Sequence, residues 1–237
     1  LYSFLISFKN EIGGITGARS VDLENEKRNF DSEAAAWDEE PRRVQLAKDL
    51  FHAIHEEVVL TPAMDVLDFG CGTGLVTLPL AEHAGRVTGV DSSRGMLEVL
   101  HRKIEANRIG NVTACRLDLE RGDVLEGHYD LVVTTMTLHH VQDIPPLLDQ
   151  FVKILKPGGR VCIADLDSEN GEFHANPDGV FHNGFDRKAL RDALSRAGFT
   201  GLRDRTAAEI VKPAADGTIK AFGVFLITGT LCGAAIS

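Results

Sequence analysis

The sequence predicts an α/β fold built on a doubly wound sheet, and three observations carry that prediction. From residue 62 onward, short runs rich in Val, Ile and Leu alternate with segments of helical period, the pattern of strand then helix, repeated. Several runs are nearly continuous in hydrophobicity, as in strands buried on both faces of a parallel sheet. The length, 237 residues with 43% hydrophobic composition, suits one generous domain or a core with a small appendage, with apolar surface enough for a full core.

The elements follow in order. Residues 29–38 predict a short helix with Asp31 or Ser32 as N-cap. Val44, Ala47, Phe51, Ile54 and Val58 recur at helical spacing, so residues 42–59 predict one amphipathic helix, ended by Pro62. Strands are expected at 64–69, 86–91, 112–117, 129–135, 160–165, 201–206 and 221–228. Between them, Leu97, Leu100 and Ile104 mark one helix face, Leu148, Phe151 and Leu155 another, and Leu190, Ala193, Leu194 and Ala197 a third. Only residues 209–220 join the last two strands. That is too short for the helical crossover parallel strands need, so an antiparallel terminal hairpin is expected. Residues 1–30 show no clear period.

Charge and cysteine usage exclude several classes. Lys and Arg total 25 against 35 Asp and Glu, a net charge of -10, and the longest basic runs are pairs such as Arg42-Arg43. Nonspecific nucleic-acid binding depends on clustered cations, so no nucleic-acid partner is expected. Cys71, Cys115, Cys162 and Cys232 form no CxxC pair and no finger spacing with His. Neither a zinc site nor a disulfide framework is read, three of the four sit in or beside apolar runs where a buried reduced thiol is expected, and the compartment is read as reducing, hence cytoplasmic. No apolar stretch is long enough to span a bilayer. The start, Leu1 to Phe8, lacks the basic segment of a signal peptide and reads as a trimmed end.

The strongest local signal is Asp65-Val-Leu-Asp-Phe-Gly-Cys-Gly-Thr-Gly-Leu75. A buried strand runs into Gly70, Gly72 and Gly74 and a helix opens after them, so the turn is tight and backbone N–H groups can approach a ligand. Pro79, a turn into that helix, is expected to remove a hydrogen bond and bend it. Asp91 ends the second strand roughly 20 residues after Gly70, where a carboxylate can meet two ribose hydroxyls. A dinucleotide fingerprint wants glycine at the position Leu75 occupies, and the Gly-Lys-Ser/Thr ending of a Walker loop is missing.

These residues resemble the class I S-adenosylmethionine-dependent methyltransferases of the small-molecule type. The resemblance rests on Val66-Leu-Asp-Phe-Gly-Cys-Gly-Thr-Gly74, Gly89-Val-Asp-Ser-Ser-Arg-Gly-Met-Leu97, Asp118, Tyr129-Asp-Leu-Val-Val-Thr-Thr-Met-Thr-Leu-His-His-Val141 and Leu155-Lys-Pro-Gly-Gly-Arg160, and covers residues 40–230. It implies a Rossmann-like, seven-stranded, mostly parallel sheet of order 3-2-1-4-5-7-6 with an antiparallel terminal hairpin. It divides the chain into an N-terminal helical cap, 1–60, and a methyltransferase core, 61–237. The implied cofactor is S-adenosyl-L-methionine, leaving as S-adenosyl-L-homocysteine. Gly70, Cys71 and Gly72, with Gly74 completing the loop, would pass under its methionine part, with Asp68 near the amino group. Asp91 would take the ribose hydroxyls, Ser92 and Met96 would flank the adenine, Asp118 and Leu119 would read its amino group, and Thr135 and Met136 would line the wall near the sulfonium. Phe30-Asp31 and Trp37-Asp38 would sit on a cap over the cofactor.

Blander readings stand beside these. Asp91 can serve as a helix cap, although Ser92 or Ser93 fits that task better, and Asp118 followed by Leu-Glu-Arg is also an ordinary solvated turn. Candidate bases lie after the fourth strand, His139 and His140, and after the fifth, Asp165 and Asp167; an imidazole accepts a proton near neutral pH. Residues 166–186 form a loop long enough to be functional, carrying Phe173, Phe181, Phe185, His174, His182 and Asn183. It reads as a lid contributing His182, or as a loop pinned to the core by its phenylalanines, with Asp186 capping the following helix. His140, His174 and His182 show no recognised metal-ligand spacing, and no metal is expected. The chain is thus read as a methyltransferase acting by direct in-line displacement on a small-molecule acceptor, as a monomer or homodimer. The alternatives are a nicotinamide-dependent oxidoreductase and a non-catalytic cofactor-binding subunit.

Overall fold

The computed structural model describes residues 30–213 and 217–232. In chain order the elements are α1 (Phe30–Glu33), a 3-10 turn (Ala34–Glu39), α2 (Pro41–Glu57), β1 (Asp65–Phe69), α3 (Thr77–Ala81), β2 (Arg86–Asp91), α4 (Arg94–Asn107), β3 (Val112–Arg116), β4 (Tyr129–Thr135), α5 (Ile144–Ile154), β5 (Leu155–Leu166), α6 (Arg187–Ala197), β6 (Phe199–Pro213) and β7 (Ile219–Leu231). The seven strands form one sheet of order β3-β2-β1-β4-β5-β7-β6. β1 to β5 run parallel, and β7 returns antiparallel to both β5 and β6. Both the order and the terminal hairpin agree with the sequence.

Burial on both faces explains the continuous apolar runs. Val66, Leu131, Val133, Cys162, Ala164, Val224 and Leu226 face the side covered by α2 and α3. Their neighbours Leu67, Val132, Ile163, Phe225 and Ile227 face α5 and α6, where Leu147, Leu148, Phe151, Leu190 and Leu194 receive them. Each fully buried Leu or Phe contributes roughly 1.5–3 kcal/mol, so this double-sided packing is the main term holding the sheet. α2 shares the first cluster through Ala47, Leu50, Ala53, Ile54 and Val58.

Several expectations are corrected. Asp31 and Ser32 lie inside α1 rather than at its N-cap. α2 closes at Glu57, before Pro62, because Val58 turns extended while its amide still reaches the Ile54 carbonyl at 2.9 Å. Pro79, by contrast, stands as expected in the five-residue α3: the Leu78 and Leu80 amides on either side donate to the Gly74 and Val76 carbonyls at 3.0 and 3.1 Å, and the bond between them is the one a proline cannot make. Leu155 opens β5 rather than closing α5: its backbone turns extended and it pairs with Tyr129 of β4. Most of the expected loop 209–220 is ladder, with Glu209 opposite Gly223 and Pro213 opposite Ile219. Pro213 is tolerated there because β6 is the sheet's edge. Two cysteines, Cys71 and Cys162, are buried, whereas Cys115 on edge strand β3 and Cys232 are exposed. Residues 1–29, including the chain's start, lie outside the described residues.

Candidate functional site

The parallel strands all end on one side, where a doubly wound sheet collects its ligands, and there a cleft of about 1420 Å³ opens. Its floor begins at the glycine loop after β1. The amides of Gly70 and Cys71 donate to the Val90 carbonyl at 2.8 and 3.0 Å, tying the loop to β2. Gly70 has φ +77°, and a Cβ there would stand 2.2 Å from Thr137 Oγ1. At Gly72, φ is +53° and a Cβ would meet nothing within 4 Å, so the chain leaves bare backbone facing open cleft. Gly74 lies off the cleft and packs toward Leu100.

Asp91 joins that loop to the next helix. Its Oδ2 accepts from the Gly72 amide and its Oδ1 from the Ser93 amide, each at 2.8 Å. Burial pushes its pKa upward, opposed by those amides. Capping of α4 belongs to Ser93, whose hydroxyl accepts from the Met96 amide at 3.2 Å. Asp91 is thereby left on the cleft wall with Ser92 and Met96.

Asp68 stands behind the loop rather than on the cleft. Thr77 donates to its Oδ2 at 2.6 Å, and Oδ1 is buried with no hydrogen-bond partner among the described residues. Burial first, and the Asp91 charge as well, push its pKa to about 7. The Cys71 thiol beside it is raised well above the ordinary value, chiefly by burial, which removes it as a nucleophile at neutral pH.

The far wall on this side holds Asp118 and Leu119. Asp118 caps the turn Leu119–Arg121 by accepting from the Glu120 amide at 3.2 Å and pairs with Arg116 and Arg121 at 3.4 and 3.2 Å. It therefore holds this turn in place while still lining the cleft. After β4, Thr135 and Met136 line the cleft. Met136 has φ 53°, a left-handed conformation that costs a side-chain-bearing residue roughly 1–2 kcal/mol; its amide donates to the Ala164 carbonyl at 2.8 Å.

The histidines separate by environment. His139 is 1% exposed, and its Nδ1 lies 2.7 Å from Oδ1 of Asp165, itself fully buried at the end of β5. His140 Nδ1 lies 2.7 Å from the Gly179 carbonyl. Both line the cleft, and so does His174 from the long loop, whose ring centroid is 4.9 Å from that of His139. His182 lies off the cleft: its Nε2 meets the Val141 carbonyl at 3.0 Å and its ring tilts against Phe185. Among the described residues no group of three or more His, Cys, Asp or Glu side chains is arranged to hold a metal ion.

The long loop divides its aromatic residues. Phe185 packs into the core and Phe181 remains 41% exposed. Phe173 does two things, packing edge-on to Phe222 at 5.2 Å while lining the cleft. Asp186 caps α6 through the Ala189 amide. Overhead, Trp37 lines the cleft beneath Arg43, whose guanidinium carbon is 3.7 Å from the ring centre. Asp38 accepts from Thr73 Oγ1 at 2.6 Å, fastening this segment to the glycine loop.

Some lining residues were not anticipated. Ile210 and Lys212 come from the hairpin extension read as loop, and Arg43, Leu46, Ala47 and Leu50 from α2. Their spacing on α2 was visible, but as core periodicity alone.

A doubly wound sheet with this terminal hairpin, a G-x-G-x-G loop and an acidic residue closing the second strand defines a nucleotide-type cofactor fold of the methyltransferase class. The methyltransferase domain pattern matches residues 37–203, and the chain belongs to that family. An uncharacterized methyltransferase of Schizosaccharomyces pombe is 35% identical over 136 residues, covering 51% of this chain and 48% of that protein. Phosphoethanolamine N-methyltransferase 1 of Arabidopsis thaliana is 33% identical over 164 residues, covering 64% and 32% respectively. The chain thus spans about half or less of the length of these two relatives. Among solved structures, phosphoethanolamine N-methyltransferase 2 of Haemonchus contortus, in complex with S-adenosyl-L-methionine, superposes with TM-score 0.59 at 17% identity, over 73% of this chain and 50% of that one. Among the described residues no helix is long and apolar enough to cross a membrane.

Proposed function

We propose that the cleft binds S-adenosyl-L-methionine and that the protein transfers its methyl group by direct in-line displacement to a small-molecule acceptor. The observation that carries this reading is the Asp91 carboxylate, fixed on the cleft wall between the amides of Gly72 and Ser93. Each of its oxygens keeps a lone pair for a hydroxyl donor. The bare backbone at Gly72 gives a ligand close approach to main-chain amides. These two features fit a ligand that presents ribose hydroxyls to Asp91 and lays its other part along the glycine loop.

When bound, S-adenosyl-L-methionine supplies an electrophilic methyl carbon on a positively charged sulfur. The protein's part is alignment and exclusion of water. Asp91 orients the ribose, Ser92, Met96, Asp118 and Leu119 hold the adenine, and Thr135 and Met136 form the wall facing the acceptor side. Gly70, Cys71 and Gly72 form the floor, with Gly74 and Asp68 shaping the loop from behind. His139 and His140 stand on the acceptor side as candidate bases, while His182 supports the loop from outside the cleft.

Isothermal titration with S-adenosyl-L-homocysteine, followed by transfer of a labelled methyl group to a panel of small acceptors, tests the reading. Binding with transfer is expected. Thermal stabilisation by NADH and none by S-adenosyl-L-homocysteine overturns it in favour of an oxidoreductase, and binding without transfer to any acceptor leaves a non-catalytic subunit.

A further inference from the structure

Methyl transfer by displacement does not itself require a base, yet the acceptor side of this cleft contains a built one. Asp165 is fully buried, and its Oδ1 receives both the His139 ring at 2.7 Å and the Leu166 amide at 2.7 Å. With the Asp165 carboxyl group as the partner of Nδ1 at 2.7 Å, that nitrogen is the ring's donor, so Nε2 is the ring's acceptor and has no protein partner among the described residues. The cost of burying the pair is offset by the further amide bonds to Asp165 from Leu166 and from His139 itself. Asp165 itself lies off the cleft and reaches it only through His139.

The surroundings define what the base acts on. Phe30, Trp37 and Phe173 line this part of the cleft, with the imidazoles of His140 and His174 among them. Phe30 meets His140 edge-on at 5.1 Å and His174 meets Phe173 at 4.8 Å, an aromatic lining suited to a planar ring. The nearby arginines are committed: Arg42 pairs with Glu40 at 3.0 Å and Arg43 with Glu33 at 3.3 Å. Lys212 is turned onto the Phe173 carbonyl and lies 3.9 Å from that residue's ring centre. A phosphate-bearing acceptor would therefore have to break ion pairs to be held.

We infer that the acceptor is an uncharged hydroxylated aromatic, with His139 as the catalytic base and Asp165 as its positioning residue. This inference rests on the methyl-transfer reading above. The hydroxyl proton passes to Nε2 of His139 as the acceptor oxygen forms its bond to the methyl carbon. The carbon–sulfur bond breaks, its electron pair stays on sulfur to give the neutral thioether, and the imidazolium returns its proton to solvent.

The test uses 4-nitrocatechol, whose ionised and neutral forms absorb differently, titrated into the protein saturated with S-adenosyl-L-homocysteine at a pH where the free dye is mostly neutral. Because no transfer occurs, absorbance reports where the proton sits. The wild type is expected to bind the dye with the phenolate band, and phosphoethanolamine is expected not to displace it. Asp165→Asn is expected to keep binding the dye but lose the band, because the imidazole no longer holds its tautomer; His139→Ala loses the band as well. Dye bound as the neutral phenol by the wild type, displacement by phosphoethanolamine, or an undiminished band in a folded Asp165→Asn protein overturns the inference. The wild-type measurements decide even if a variant does not fold. Failure of S-adenosyl-L-homocysteine itself to bind counts against the cofactor reading, whereas its binding without dye ionisation counts against the acceptor class alone.

Discussion

Asp31 caps a helix that is not its own: its Oδ1 accepts from the Ser93 hydroxyl at 2.5 Å and from the Gly95 amide at 2.8 Å, at the start of α4. A Cβ on Gly95 would lie 2.7 Å from the Asp31 carbonyl oxygen, so glycine is what lets the two backbones meet. The same turn of α4 presents Ser92 and Met96 to the cleft. The N-terminal segment is therefore fastened directly to the part of the wall assigned to adenosine. Asp31→Ala should weaken that docking by about 0.5–2 kcal/mol, the usual cost of a lost helix cap. Hydrogen exchange should speed up at residues 30–39 and at Gly95. The Ser93 hydroxyl, then the Gly95 amide, hold the Asp31 carboxyl below its ordinary 3.8. A lowered carboxylate pKa stabilises above the ordinary value and loses that contribution as pH falls below it, so the protection factors of these amides, with the intrinsic base-catalysed rate divided out, should fall on acidification and not on raising pH.

Asp68 should give the opposite sign. Its pKa is raised from 3.8 to about 7, so the folded state holds the proton while the unfolded chain has already released it. Its contribution is fully present below 3.8 and lost as pH rises through about 7. Asp68→Asn keeps an acceptor for Thr77 and removes the buried charge. The difference in melting temperature between variant and wild type should therefore move in the variant's favour between pH 4 and 8, by roughly pH 8 reaching a plateau. A difference independent of pH would show that Asp68 titrates normally.

The two glycines separate packing from ligand access. Gly70→Ala drives a Cβ to 2.2 Å from Thr137 Oγ1, and should lower stability by about 1–3 kcal/mol for overpacking alone. Gly72→Ala meets nothing within 4 Å and should cost only about 1 kcal/mol, the backbone penalty. It should nonetheless reduce affinity for S-adenosyl-L-homocysteine. Thermal melts and calorimetric titration on the same preparations check both.

His182 donates to the Val141 carbonyl from outside the cleft. His182→Ala should lose about 1 kcal/mol of stability, the order of one net hydrogen bond, with cofactor affinity unchanged. A loss of affinity at constant stability would return His182 to the site.

The strands and the terminal hairpin were legible because burial on two faces writes itself as continuous apolar runs, and because the joining segment was short; the strand order came only with the family resemblance. The glycine loop and Asp91 were legible because adjacent residues in sequence make the turn. What escaped depends on contacts between distant segments. Nothing near Asp31 in sequence announces that its partner is Gly95, and the pairing of His139 with Asp165 spans a helix and most of a strand. The hairpin extension escaped for a different reason. Ile210 and Lys212 alternate with exposed Val211 and Pro213, and a lysine facing inward defeats an apolar-in, polar-out reading. In the lid, sequence singled out His182, whereas the fold turns His174 toward the cleft; both are surrounded by similar residues, so composition could not choose between them.

The measurement that tests the central claim most directly is calorimetric titration of S-adenosyl-L-homocysteine into wild-type and Asp91→Ala proteins. Loss of charge-assisted hydrogen bonds worth about 1.5–3 kcal/mol corresponds to roughly 10- to 150-fold weaker binding. Asp91→Asn should lie between the two, since the amide keeps one acceptor oxygen. Equal affinity in folded wild-type and Asp91→Ala proteins would contradict the account, because the carboxylate seated between Gly72 and Ser93 would then be holding the loop and nothing else.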